Sequence, residues 1–212
     1  MPGHAVDYWA QTQLLADIAA RAAIIVLFSM MAVRFAQDFA QTGHVTGLFL
    51  LISEALVVVL TLMRRTASTV DRSLRARTLT TLSTLGPPLM VPGAAVALVP
   101  DALTVALSCA GLCVVIAAKI ALGRSFALLP ANRGIVSSGL YGFVRHPIYL
   151  GYLITHVAFL AASPALWNLV ALCVADAALL ARAVCEEQTL SQDAQYRDYQ
   201  TRVRWRVAPG VF

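Results

Sequence analysis

Apolar residues in this chain come in several long runs, each reaching or approaching the ~20 residues that a helix needs to cross a bilayer. The pattern predicts about six spans: Ala22 to Phe35, Val45 to Met63, Leu79 to Val99, Leu103 to Leu122, Pro147 to Ala162 and Ala165 to Leu190. The first is short for a crossing, and a polar loop through Asp38, Thr42 and Gly43 comes after it. The third contains Gly86-Pro87-Pro88 and Pro92-Gly93, so it should be kinked or partly broken and packed against protein. Ser163-Pro164 separates the last two runs by so short a break that they should form an antiparallel hairpin. The expected fold class is all-α: a multi-spanning membrane helix bundle forming one domain over residues 1–212. Residues 1–122 supply the amino-terminal helices, and residues 123–212 supply a loop, the hairpin and a polar tail.

Composition agrees with the pattern. Of 212 residues, 59% are hydrophobic and 13% charged, against about a quarter charged in ordinary soluble domains. The cations are unevenly placed. Arg64, Arg65, Arg72, Arg75 and Arg77 fall in one connection, Lys119, Arg124, Arg133 and Arg145 in another, and Arg182, Arg197, Arg202, Arg204 and Arg206 towards the end. Connections near 37–46, 99–103 and 161–167 contain no Lys or Arg. This alternation follows the positive-inside rule and predicts both termini in the cytoplasm. The net charge of +5 is thereby accounted for by topology, and nucleic-acid binding is not expected. The first twenty residues carry Asp7 and Asp17 and no cationic start, unlike a cleavable signal peptide. Cys109, Cys113, Cys173 and Cys185 lie in or beside apolar runs and read as small buried residues, with no metal site expected.

Candidate chemistry concentrates in Gly139-Leu140-Tyr141-Gly142-Phe143-Val144-Arg145-His146-Pro147-Ile148-Tyr149. Pro147 suits the first turn of a helix, and it keeps His146 out of the helical region. Glu186 and Glu187 end the last span, where the hairpin returns them to the same membrane face. Neighbouring helical residues point about 100° apart, so one of the two should face a given pocket squarely. Arg145 could anchor a lipid phosphate or hold a carboxylate through its planar fork. Tyr149, Tyr152 and His156 share a face of the fifth span. Ionisable groups within membranes usually face a cavity or a partner. His156 is therefore a candidate for lining an acceptor cavity, and Glu54 and Asp176 for structural contacts between helices. Nucleotide-binding glycine loops, nucleophile elbows and His-Glu-x-x-His are missing from the sequence.

The order Gly139-Leu140-Tyr141, Val144-Arg145-His146-Pro147-Ile148-Tyr149-Leu150-Gly151, Glu186-Glu187, Tyr196-Arg197-Asp198-Tyr199 and Pro209-Gly210-Val211 resembles the isoprenylcysteine carboxyl methyltransferase family, particularly its bacterial members. Leu140, Gly142 and Asp193-Ala194 depart from residues frequent there. The resemblance implies a membrane methyltransferase that uses S-adenosylmethionine. It assigns Tyr141, His146, Pro147, Tyr149, Glu186 and Glu187 to the cofactor, and arginines, here Arg145 and Arg206, to a substrate carboxylate. The expected acceptor is a lipophilic or small molecule, a prenylcysteine-like carboxylate first. Thiol S-methylation and phospholipid N-methylation remain open; for these His146 or His156 could remove a proton. An NADPH-dependent membrane reductase and a non-catalytic membrane partner are the more distant alternatives.

Overall fold

The computed structural model describes residues 3–42, 45–91 and 95–212. Contacts divide the chain into two units, Met1–Met63 and Arg64–Phe212. The first is a pair of packed helices, α1 (Gly3–Thr42) and α2 (Val45–Met63). The loop expected through Asp38 and Thr42 is instead the end of α1, because no glycine or proline interrupts residues 4–42; Gly43 lies outside the described residues. Glu54 of α2 is buried and accepts the Ser53 hydroxyl at 3.3 Å.

In the second unit come α3 (Leu74–Leu85), α4 (Asp101–Leu122), α5 (Pro147–Ala162), α6 (Leu166–Leu190) and α7 (Ala194–Arg202). Two short strands, β1 (Thr69–Val70) and β2 (Ala131–Asn132), pair antiparallel with Thr69 opposite Asn132 and Val70 opposite Ala131. This corrects the all-α expectation slightly. The two polar connections zip together through backbone hydrogen bonds, Ser68 N–H to the Asn132 carbonyl and Asp71 N–H to that of Pro130, both 2.9 Å.

Among the described residues three helices are long and apolar enough to cross a membrane: Ile18–Gln41, Asp101–Ser125 and Leu166–Leu190. Leu48–Met63 and Pro147–Ala162 are shorter apolar helices. The third run, expected to be kinked or partly broken, is not one continuous helix among the described residues. Its helix, α3, has 12 residues, roughly 18 Å against a hydrocarbon core of roughly 30 Å. Gly86-Pro87-Pro88 stops it, since proline offers no N–H and the chain tightens into a 3-10 turn at Pro87–Leu89. Pro92 and Gly93 lie outside the described residues.

Backbone released from a helix needs other partners in an apolar setting, and the start of α6 supplies them. The fully buried Asn168 accepts Val91 N–H at 2.9 Å and donates to the carbonyls of Val91 and Ser163, both at 3.0 Å. Trp167 donates its indole N–H to the Leu89 carbonyl at 3.0 Å.

Side-by-side packing also differs from the expected hairpin. Helices α5 and α6 run antiparallel, but α5 packs chiefly on α4 and α6 chiefly on α3. Gly111 and Gly151 cause the first pairing. A Cβ on Gly111 would lie 2.7 Å from the Gly151 carbonyl oxygen, and one on Gly151 would lie 2.6 Å from that of Gly111. The two backbones therefore touch, as small residues allow in membrane helix pairs. Leu103, Ile120, Val157, Leu166, Val170 and Val174 stay exposed on the outer faces of these helices. Cys113 and Cys173 join them, correcting the expectation that they are buried, while Cys185 is buried.

Replacing Asn168 with alanine should destabilise the second unit by about 2–3 kcal/mol, because it leaves the Val91 N–H and the Val91 and Ser163 carbonyls without their partner. Thermal unfolding in detergent micelles checks this; a change below about 0.5 kcal/mol would show that Asn168 does not hold the broken segment.

Candidate functional site

The loop before α5 is built to present His146. Gly139 opens a 3-10 turn, Gly139–Gly142, with a φ of 61°, a conformation natural to glycine. His146 then caps α5 with φ −128° and ψ 64°, outside the helical region as Pro147 dictates. The carboxy-terminal tail holds the loop's last residues in place. Val144 and Trp205 form a parallel bridge, Arg145 N–H donates to the Trp205 carbonyl at 2.9 Å, and His146 N–H donates to that of Arg206 at 2.7 Å. Helix α7 anchors the tail through Tyr196, Tyr199 and Val203, which pack with Ile135 and Leu190. The Tyr199 hydroxyl donates to the Tyr141 carbonyl at 2.7 Å. Burial pushes the Tyr199 phenol up to about 12, so it remains a donor. Burial, with Glu186 and Tyr199 nearby, likewise raises Tyr141 above the ordinary tyrosine range.

Both glutamates converge on His146. Glu187 Oε1 lies 3.3 Å from Nε2, and Glu186 Oε2 lies 3.5 Å from Nδ1. The sequence expectation that only one glutamate faces the site squarely is therefore modified: the ring stands between two long side chains that reach it from adjacent positions. Glu186 also accepts the Tyr149 hydroxyl at 2.7 Å and pairs with Arg182 at 3.2 Å. Glu187 pairs with Arg206 at 2.9 Å and Arg145 at 3.0 Å. The His146 ring stacks on Tyr149 with centroids 5.2 Å apart, and the Arg182 guanidinium covers Tyr149's ring at 5.4 Å. Arg145, His146, Tyr149, Glu186, Glu187 and Arg206 thus come together, with Tyr141 beside them and Pro147 setting the helix start.

A histidine flanked by carboxylates at both nitrogens is favoured with both protons in place. Burial alone pulls His146 down, but the hydrogen bonds and charges of Glu186 and Glu187 outweigh it and raise the ring above its ordinary value.

His156 is elsewhere. It lies on α5 ten positions beyond His146, roughly 15 Å along the axis, with its Nδ1 2.6 Å from Asp176 Oδ1. Two participants carry little signal in the sequence. Arg182 is legible there only as an i,i+4 neighbour of Glu186; Asp176 as the partner of His156 has no local signal. Among the described residues no group of three or more His, Cys, Asp or Glu side chains could hold a metal ion.

The cluster holds three arginines against two glutamates. The Nε groups of Arg145 and Arg182 are buried without a hydrogen-bond acceptor, the Arg145 contact with Glu187 being an ion pair without hydrogen-bond alignment. Glu186 Oε2, in turn, has a contact only at the outer limit of hydrogen bonding.

Residues 101–192 match the model of the Isoprenylcysteine carboxyl methyltransferase (ICMT) family. No curated protein matches the chain. The matched stretch includes the loop, α5 and both glutamates; Arg206 and the docked tail lie beyond it. With the apolar helices, the family match supports a membrane protein and implies a methyltransferase.

The raised His146 has a consequence for stability. Below about pH 6.5 the ring is protonated in folded and unfolded chains alike, and its pairing with the glutamates stabilises fully. As pH rises through the elevated folded value, that contribution is lost. Melting temperature should therefore fall between pH 6 and pH 9 more steeply in the native chain than in His146→Gln; parallel pH profiles would contradict the assignment.

Proposed function

Taking the chain as an isoprenylcysteine carboxyl methyltransferase-like family member, we propose that it transfers a methyl group from S-adenosylmethionine to a lipophilic or small acceptor, at the cytoplasmic end of the membrane bundle. The observation that carries this reading is the convergence of Glu186, Glu187 and His146, braced by Arg145, Arg182 and Arg206. Glu186 would hold the donor's ammonium group. Arg182, whose Nε has no hydrogen-bond acceptor, would take its carboxylate. Tyr141, Pro147 and Tyr149 complete the wall of that end. When bound, the donor supplies a methyl group already activated by its sulfonium, so the chain's task is alignment and exclusion of water.

Arg145 and Arg206 are the sequence's candidates for a substrate carboxylate. Both guanidinium groups lean on Glu187, so their charge is largely used inside the protein, and a prenylcysteine-like carboxylate would compete with Glu187 for them. The cytoplasmic placement of the site rests on the arginine-rich connections at residues 64–77 and 197–206.

S-adenosylhomocysteine titrated calorimetrically into detergent-purified protein should bind. Glu186→Gln should weaken it about tenfold or more, as loss of one charge-assisted contact costs roughly 1.5–3 kcal/mol. Melting curves on the same samples separate lost binding from lost folding. A folded native protein that does not bind would refute the reading.

A further inference from the structure

A second polar constellation lies about two helical turns along α5 from the Tyr149–Arg182 contact, ~10 Å at 1.5 Å per residue. Helices α4, α5 and α6 each contribute. Lys119 is wholly buried, with its ammonium 5.7 Å from the centroid of the Tyr152 ring. Tyr152 stacks on His156, centroids 6.4 Å apart and planes at 12°. His156 is 7% exposed, and its Nδ1 lies 2.6 Å from Asp176 Oδ1.

A carboxylate at that distance fixes the tautomer: Nδ1 carries the proton and donates it to Asp176, leaving the lone pair on Nε2. Among the described residues no side chain or backbone group hydrogen-bonds Nε2. Nε2 is not among the fully buried side-chain atoms that lack a partner, so its lone pair keeps some exposure through which it can take a proton. An ionisable pair inside a candidate span is itself expensive. The Asp176 side chain is 25% exposed, so the pair is reachable from outside the helix contact.

Methylation of a carboxylate needs no base, because the group is already ionised at neutral pH. A base held by an aspartate suits an acceptor whose nucleophile carries a proton. Among these a thiol, with an ordinary pKa of about 8.5, gives up its proton more readily than an ammonium near 10.4.

We propose that His156, positioned by Asp176, is the general base that deprotonates a lipid-soluble thiol acceptor; this rests on the methyl-donor reading above. His156 Nε2 takes the thiol proton as the S–H bond breaks. The thiolate forms the new S–CH3 bond while the donor's methyl–sulfur bond breaks, its electron pair staying on the donor's sulfur. Asp176 balances the imidazolium until the proton passes to water.

The test uses the full chain in lipid nanodiscs with S-adenosylmethionine and either decanethiol or decanoate as acceptor. Decanethiol should be methylated in preference to decanoate. His156→Gln should slow that transfer by about 10²–10⁴-fold, the usual contribution of a general base. S-adenosylhomocysteine affinity and melting temperature should stay unchanged, because His156 is outside the donor cluster. Asp176→Asn should slow transfer with the same binding unchanged, and it serves if His156→Gln fails to fold. A readout independent of turnover is carbethoxylation of His156 by diethylpyrocarbonate, with the modified peptide identified by mass. It requires a free ring lone pair, and decanethiol should retard it.

Preference for decanoate, a loss under threefold in both variants, or a His156 inert to the reagent would overturn the proposal. So would a native protein that binds S-adenosylhomocysteine yet methylates neither compound. Failure of the native protein to bind S-adenosylhomocysteine overturns the donor reading along with it, and the calorimetric arm tells the two failures apart.

Discussion

One imidazole shared by two adjacent carboxylates holds together the end of the bundle where α5 begins and α6 ends. His146 bridges Glu186 and Glu187, and those glutamates gather Arg145, Arg182, Arg206 and the Tyr149 hydroxyl. Buried charges are tolerable only when paired and hydrogen-bonded, so removing one member leaves several others uncompensated. The cluster also explains the tail. Arg206 reaches Glu187 because its own backbone carbonyl accepts the N–H of His146, which makes the segment beyond α7 part of the same unit as the loop.

The helices meet the demands of an apolar setting in two different ways. Where α4 and α5 cross, Gly111 and Gly151 remove side chains and let backbones touch. Where the chain leaves α3, glycine and two prolines end the helix, and Asn168 acts as a surrogate backbone for Val91. Helices α5 and α6, by contrast, are joined by polar side chains at two levels: the His146–glutamate cluster and the His156–Asp176 pair. That leaves chemistry-bearing groups along the line between these two helices while their partners on the other side, α4 and α3, carry the apolar packing.

Much of this was legible in the residues. Proline at the helix start, the charge alternation and the length of the apolar runs gave α4, α5 and α6 and located the loop and the glutamates, whereas α7 lies in a stretch that reads only as a polar tail. What the sequence could not give was pairing at long separation. Nothing local says that Asp176 faces His156, that both nitrogens of His146 find carboxylates, or that α5 prefers α4 to the helix beside it in sequence. In the third run Gly86-Pro87-Pro88 announced a kink or partial break, and the structure goes further, ending α3 at Leu85. Hydropathy understated α1, where Asp38 and Gln41 are polar but remain good enough helix formers to extend it.

The central claim, that the histidine–glutamate cluster is where the methyl donor binds, is tested most directly by an experimental structure of the protein with S-adenosylhomocysteine. The account predicts the amino-acid end of the ligand against Glu186 and Arg182, with His146 still between its two carboxylates. Ligand density in a different place, such as the open cleft of about 340 Å³ lined by Ser68, Asn132 and Asp193, with the cluster untouched, would contradict it.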